Sequence, residues 1–141
     1  MKTYSQKSSE INREWWIIDA STMPLGKLAV VIADKLLGKS KVTFTPHPDN
    51  GDYVVVINAK NLKVTGDKMT DKHYYRHSGF PGGLTDLTLA EVIEKEPRLA
   101  IEQAVKGMIP KNKLAADRLA RLRVFNGAEH AHTAQTPKEI K

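Results

Sequence analysis

Tyr53-Val54-Val55-Val56-Ile57 is a run of five apolar residues with no polar break, four of them β-branched. A strand with one wet face alternates polar and apolar residues, so an unbroken run suits a strand covered on both faces in a parallel sheet. Upstream, Trp15-Trp16-Ile17-Ile18-Asp19 is a second run of this kind, ended by an acid. Its two tryptophans open a buried strand and are read as core. Between the runs, Pro24 precedes a segment whose Leu25, Leu28, Ala29, Ile32 and Leu36 form one helical stripe, and Gly38 stops it. Strand, helix, buried strand is the order of a βαβ unit with parallel strands.

Working outward, Phe44 to Asp52 is a turn-rich connection, and Leu62-Lys63-Val64-Thr65 and the region around His73-Tyr74-Tyr75 read as more polar extended segments. Thr88 and Glu91 make a capping box that opens a helix, with Leu87 and Val92 as its staple. Pro97 interrupts the pattern, and a second helix carries Ile101, Ala104, Val105 and Met108 on one face, closed by Gly107 and Pro110. Residues 112–122 read as another amphipathic helix, with Ala115, Leu119 and Leu122 inside and Lys113, Asp117 and Arg121 projecting away. Arg123 to Gly127 is a last short strand and turn. The expected organisation is one domain over 1–141: an N-terminal extension (1–13), an α/β core (14–127) and a polar tail (128–141), extended or disordered in isolation.

At 141 residues the chain can close a core without staples, and it has no cysteine for a disulfide framework or a thiolate zinc site. No apolar run approaches the ~20 residues that span a bilayer, and Met1 to Lys7 lacks the apolar centre of a secretory signal, so no membrane partner and a cytoplasmic location are expected. The net charge is +6 and unevenly placed. Residues 106–123 carry six basic side chains against Asp117 alone, whereas residues 86–102 carry five acids against Lys95 and Arg98. Segregation of this kind suggests a basic face and an acidic flank.

Catalytic patterns fail one by one. Gly38-Lys39-Ser40 resembles the end of a phosphate-cradling loop, but the required earlier glycine is Ala33, and the triplet sits at a helix C-terminus, the wrong end for an anion. His47-Pro48-Asp49 and His130-Ala131-His132 offer metal-ligand types without a scaffold to hold them. Ser78 beside His77 lacks the nucleophile elbow. No metal, cofactor or catalytic residue is expected, and a small α/β nucleotide- or metal-binding enzyme stands only as the alternative.

The basic segments carry more. Lys72-His73-Tyr74-Tyr75-Arg76-His77-Ser78-Gly79-Phe80-Pro81-Gly82-Gly83 interleaves cations with aromatic rings before a turn. Cations neutralise phosphates and aromatic rings stack on unpaired bases, so this is a composition suited to RNA. Lys106-Gly107-Met108-Ile109-Pro110-Lys111-Asn112-Lys113 sets three lysines around a helix junction. The candidate phosphate contacts are Lys27, Lys39, Lys41, Lys68, Lys72, Arg76, Lys106, Lys111, Lys113, Arg118 and Arg121. Tyr74, Tyr75 and His77 are the candidate contacts to unpaired nucleotides.

In order and spacing, several landmarks resemble the family of bacterial large-subunit ribosomal protein number thirteen. They are Leu25-Gly26-Lys27-Leu28-Ala29, Gly38-Lys39-Ser40-Lys41, Phe44-Thr45-Pro46-His47, Gly51 to Ala59, Thr65-Gly66-Asp67-Lys68, Tyr74 to Gly79 with Pro81-Gly82-Gly83, Ala104 to Met108 and Pro110-Lys111-Asn112. The departures are Ala131 and Ala115, where the family usually has proline and glycine, and Phe125, where it often has tyrosine. The resemblance implies a three-layer α/β/α domain around a short, mainly parallel sheet, and a non-enzymatic role in the large ribosomal subunit. It implies binding of large-subunit (23S) rRNA, help in organising the 50S subunit early in assembly, and contact with neighbouring ribosomal proteins. The protein's own mRNA stands as a further RNA partner.

Overall fold

The computed structural model describes residues 4–140; residues 1–3 and 141, the outermost parts of the expected extension and tail, lie outside the described residues. In chain order the elements are β1 (Trp15–Asp19), α1 (Leu25–Leu37), β2 (Tyr53–Ile57), α2 (Lys68–Asp71), β3 (His73–His77), β4 (Leu84–Thr88), α3 (Leu89–Lys95), α4 (Pro97–Met108), α5 (Ala115–Ala120), β5 (Leu122–Val124) and β6 (Lys138–Glu139). Four strands form a parallel sheet in the order β5-β2-β1-β6, while β3 and β4 make a separate antiparallel hairpin. The α/β class and the parallel βαβ unit are as expected. Gly38 caps α1 with φ of 73°, a left-handed conformation that a side chain resists. Thr88 and Glu91 form the capping box, and Pro97 starts α4 at its first position.

Register explains why β2 reads as continuous. Trp15 pairs with Tyr53 and Ile17 with Val55 on one face, while Ile18, Val54, Val56 and Leu122 point to the other. That second set joins Leu28, Ile32, Leu36, Ile101 and Val105 in one core cluster, so α1 and α4 cover that face. Val55 is nonetheless fully buried on the opposite face. Where the resemblance implied a helical third layer, the aromatic contacts on this face come from the tail. Trp15 stacks on Tyr53 at 4.3 Å and meets His132 at 5.0 Å, and His132 also meets Phe125. The tail therefore does not extend away as expected. Its β6 pairs with β1, and Ile140 N–H donates to Ile17 O at 2.9 Å. The tryptophans are half-buried rather than core: they open β1 on opposite faces, Trp15 against Tyr53 and His132 and Trp16 beside Lys35. Trp16 lies under Lys35, whose ammonium is 4.0 Å from the ring, and its indole N–H donates to Asp52 at 3.0 Å.

Other differences are local. Residues 62–65 form only an isolated bridge, Lys63 to Pro24. The expected 112–122 helix contracts to Ala115–Ala120, since Asn112 turns the chain by accepting from Leu114 N–H through its side chain. Strand β4 had no sequence signal of its own, because Leu84-Thr85-Asp86-Leu87-Thr88 is too polar to read as a strand without its partner.

Candidate nucleic-acid interface

The hairpin carries the aromatic-basic stretch. Alternation along β3 turns Tyr74 and Arg76 to one side and His73, Tyr75 and His77 to the other. Tyr74 and its cross-strand partner Leu87 pack against the core, which anchors the hairpin at its base. Tyr74 is thus half-buried, against its expected place as a nucleotide contact, and the Lys72 ammonium lies 5.3 Å from its ring centroid. Tyr75 is 68% exposed and lies over His73 with ring centroids 5.9 Å apart and planes 14° from parallel. His73 Nδ1 is 2.7 Å from Asp86, a contact that fixes its ring. His77 accepts from Gly79 N–H through Nδ1 at 2.9 Å, so its neutral form carries the proton on Nε2. Beyond it Gly79 and Gly82 adopt positive φ, and Ser78 N–H donates to Gly83 O to close the turn. Phe80 and Leu84 stand exposed at the tip. His73 and Asp86 are not among the candidate contacts that sequence offers; the signal that pairs them is the strand pairing itself.

The structure divides the expected phosphate contacts. A groove lined by Gly26, Lys68, Lys72, Ala104 and Met108 brings three distant segments together, and Lys27 and Lys106 adjoin it in the chain. Lys111 and Lys113 follow the same end of α4 and are exposed. Lys27, Lys39, Lys68, Lys72, Arg76, Lys106, Lys111 and Lys113 have no carboxylate partner among the described residues. Lys39 lies just past the other end of α1, a helix of 13 residues and so roughly 20 Å long, away from this group.

Three of the expected contacts are instead internal. The Arg121 side chain is 6% exposed and donates to both carboxylate oxygens of Asp49, to Leu36 O at 3.2 Å and to Asp52 O at 3.3 Å. Arg118 is 3% exposed, with Nε 3.5 Å from the same carboxylate. Arg13 reaches Asp49 from the N-terminal side. Burial alone would raise the Asp49 pKa, but the Arg121 hydrogen bond and the charges of Arg121, Arg13 and Arg118 outweigh it and hold the carboxyl below its usual range. Lys41 spends all three ammonium protons on Asn12 O, Asn50 O and Asp52 Oδ1. Charge in a short helix or a turn ordinarily faces solvent, which is why sequence alone places Arg118, Arg121 and Lys41 among the phosphate contacts. Asp49 and Asp52, in a turn-rich stretch, are what draw them in.

The turn reaches those arginines because glycine lets two backbones touch. A Cβ on Gly51 would lie 1.7 Å from Leu36 O, and one on Gly38 2.6 Å from Asn50 O. Gly38-Lys39-Ser40 is spent on this C-cap, not on a phosphate. Among the described residues no three histidine, aspartate or glutamate side chains are placed to hold a metal, and His130 and His132 pack on Phe125. No helix there is long and apolar enough to cross a membrane.

The profile of the family described as ribosomal protein L13 matches residues 13–131. The chain belongs to this family. It is 54% identical over 141 residues to the large ribosomal subunit protein uL13 of Maridesulfovibrio salexigens, a match covering 100% of this chain and 99% of the relative. The uL13 proteins of Pseudomonas aeruginosa and Nitrosococcus oceani are 52% and 51% identical over the same span, with the same coverage. Ribosomal protein L13 is a family of structural components and not of enzymes, which corrects the small-enzyme alternative.

Proposed function

We propose that this protein is a structural constituent of the large ribosomal subunit that binds 23S rRNA and helps to organise the 50S particle early in assembly, beside neighbouring ribosomal proteins. The observation that carries this reading is the placing of Lys68 and Lys72, neither paired with a carboxylate among the described residues, on the rim of the groove formed by α1, α2 and α4, with Lys27 and Lys106 exposed on α1 and α4. Lys111, Lys113 and the exposed hairpin residues Tyr75, Arg76 and His77 extend the surface. Ammonium groups carried on a well-packed body neutralise phosphates without any ordering of the backbone, and they read the shape of an A-form helix rather than base sequence.

Filter binding to large-subunit rRNA fragments across a salt series tests the reading. The logarithm of affinity is expected to fall linearly with the logarithm of salt, and each contacting lysine changed to glutamine flattens the slope by roughly 0.7–0.9. Arg118→Gln and Lys41→Gln are expected to leave the slope unchanged, since those groups are already spent inside the protein. A salt-independent affinity would overturn the phosphate mechanism.

A further inference from the structure

We propose that the groove between the start of α1, α2 and the end of α4 is a pocket for a single unpaired nucleotide of the bound RNA. The proposal rests on the rRNA reading above and adds a site and a ligand form to it. The groove holds about 470 Å³, within the roughly 300–1,000 Å³ of small-molecule sites. Its floor is apolar: Leu25 and Leu89 come from the core, Val64 lies beside them, and Met108 stands at the lip, 41% exposed. A methionine at that place adapts to shape and offers a polarizable sulfur to an aromatic ring.

The rim is charged. Lys68 Nζ donates to Thr65 Oγ1 at 3.3 Å, and the Lys72 ammonium rests 5.3 Å from the Tyr74 ring centroid. Each ammonium has three protons, so both keep donors for a phosphate oxygen. Asp71 also lines the groove; among the described residues its carboxylate accepts only from Thr70 Oγ1, at 3.2 Å. It repels phosphate from its own side and can accept from an amino or imino N–H on a base edge. An apolar floor, two ammonium groups and one acceptor match a base with its phosphate. An apolar peptide would leave both ammonium groups unused. A paired base in an A-form helix does not reach into such a groove, so the occupant is a bulged or loop nucleotide.

The test uses the full chain bound to large-subunit rRNA, with base-reactivity probing of the complex. Gly26 lines the groove, and a Cβ there meets nothing within 4 Å, so a side chain can leave the backbone without a clash and Gly26→Leu is placed to fill the mouth. Ala104→Met narrows the groove from the α4 wall and decides the matter if the first variant does not fold. Wild-type protein is expected to protect at least one unpaired base that becomes reactive in the variants, with the rest of the footprint kept and affinity lowered roughly tenfold. Unchanged base protection in the folded variants overturns the proposal. Failure of the rRNA reading looks different: wild-type protein would then give no salt-dependent footprint at all.

Discussion

Replacing Asp49 by asparagine removes the one carboxylate shared by Arg13, Arg118 and Arg121 while keeping the side chain's size. Arg121 retains the carbonyls of Leu36 and Asp52 as acceptors, but the Arg118 side chain has no other partner among the described residues. Leaving a buried charge without its partner costs about 3–5 kcal/mol. The asparagine oxygen still accepts one hydrogen bond, so the lower end, about 3 kcal/mol, is expected at pH 7. For a chain of this length that corresponds to a fall in Tm of about 10 °C. Urea unfolding followed by tryptophan fluorescence gives the difference directly. The pH dependence supplies a second, independent sign. The folded pKa of Asp49 lies below its ordinary value of 3.8, so its ionised form contributes stability in full above that value. That contribution is lost as pH falls through the lower folded value. The gap between wild type and Asp49→Asn should therefore be constant from neutral pH down to about 5 and close in stronger acid. Adding Arg118→Met to the variant removes the stranded charge and should recover part of the loss. A gap below about 1 kcal/mol at pH 7, or one that persists in acid, would refute the account of Asp49 as an internal ionic hub.

Gly51→Ala forces a Cβ against Leu36 O, and calorimetry should show a loss of ~3 kcal/mol or more, with a smaller loss of about 1–2 kcal/mol at Gly66, where a Cβ has open space but φ of 65° strains any side chain. Thr88→Ala removes the acceptor of Glu91 N–H and should cost about 1 kcal/mol in urea unfolding, whereas Thr88→Ser should cost far less. Ending the chain after Pro137 deletes β6 and the Lys138–Glu14 contact. It should lower stability by about 1–3 kcal/mol, chiefly through loss of the half-buried Ile140, and leave the rRNA salt slope unaltered.

The elements that sequence made legible are those whose signal is local. Leu25 to Leu36 announces a helical stripe, Val54 to Val56 a doubly covered strand, and Thr88 with Glu91 a helix start; each is written in neighbours a few residues apart. What was hidden depends on partners far along the chain. Leu84 to Thr88 becomes a strand only because His73 to His77 lies opposite, and Lys138-Glu139 only because β1 offers a free edge. The same holds for charge. Lys68 and Arg121 look alike in a basic segment, and only Asp49, 72 residues from Arg121, sends one inside while the other stays on the surface. Tyr74 and Tyr75 are adjacent and chemically identical, yet strand alternation seats one on the core and turns the other outward.

The hairpin is fastened at one end only. Leu89 N–H donates to Lys72 O at 2.8 Å, and Tyr74 and Leu87 pack there, while Tyr75 through Gly82 and Leu84 through Asp86 are exposed. A two-stranded ribbon has little stability of its own, so its distal half opens at a much lower free energy than the four-stranded sheet. Amide hydrogens near Arg76 and Thr85 should thus exchange long before those of Val54 to Val56. On the proposed rRNA reading, RNA seated on this arm must first order its backbone, at an entropic cost that lysines carried on the already ordered α1 and α4 do not incur. The two parts of the proposed surface would therefore differ in tempo: the body would capture the RNA backbone ready-made, and the arm would settle afterwards.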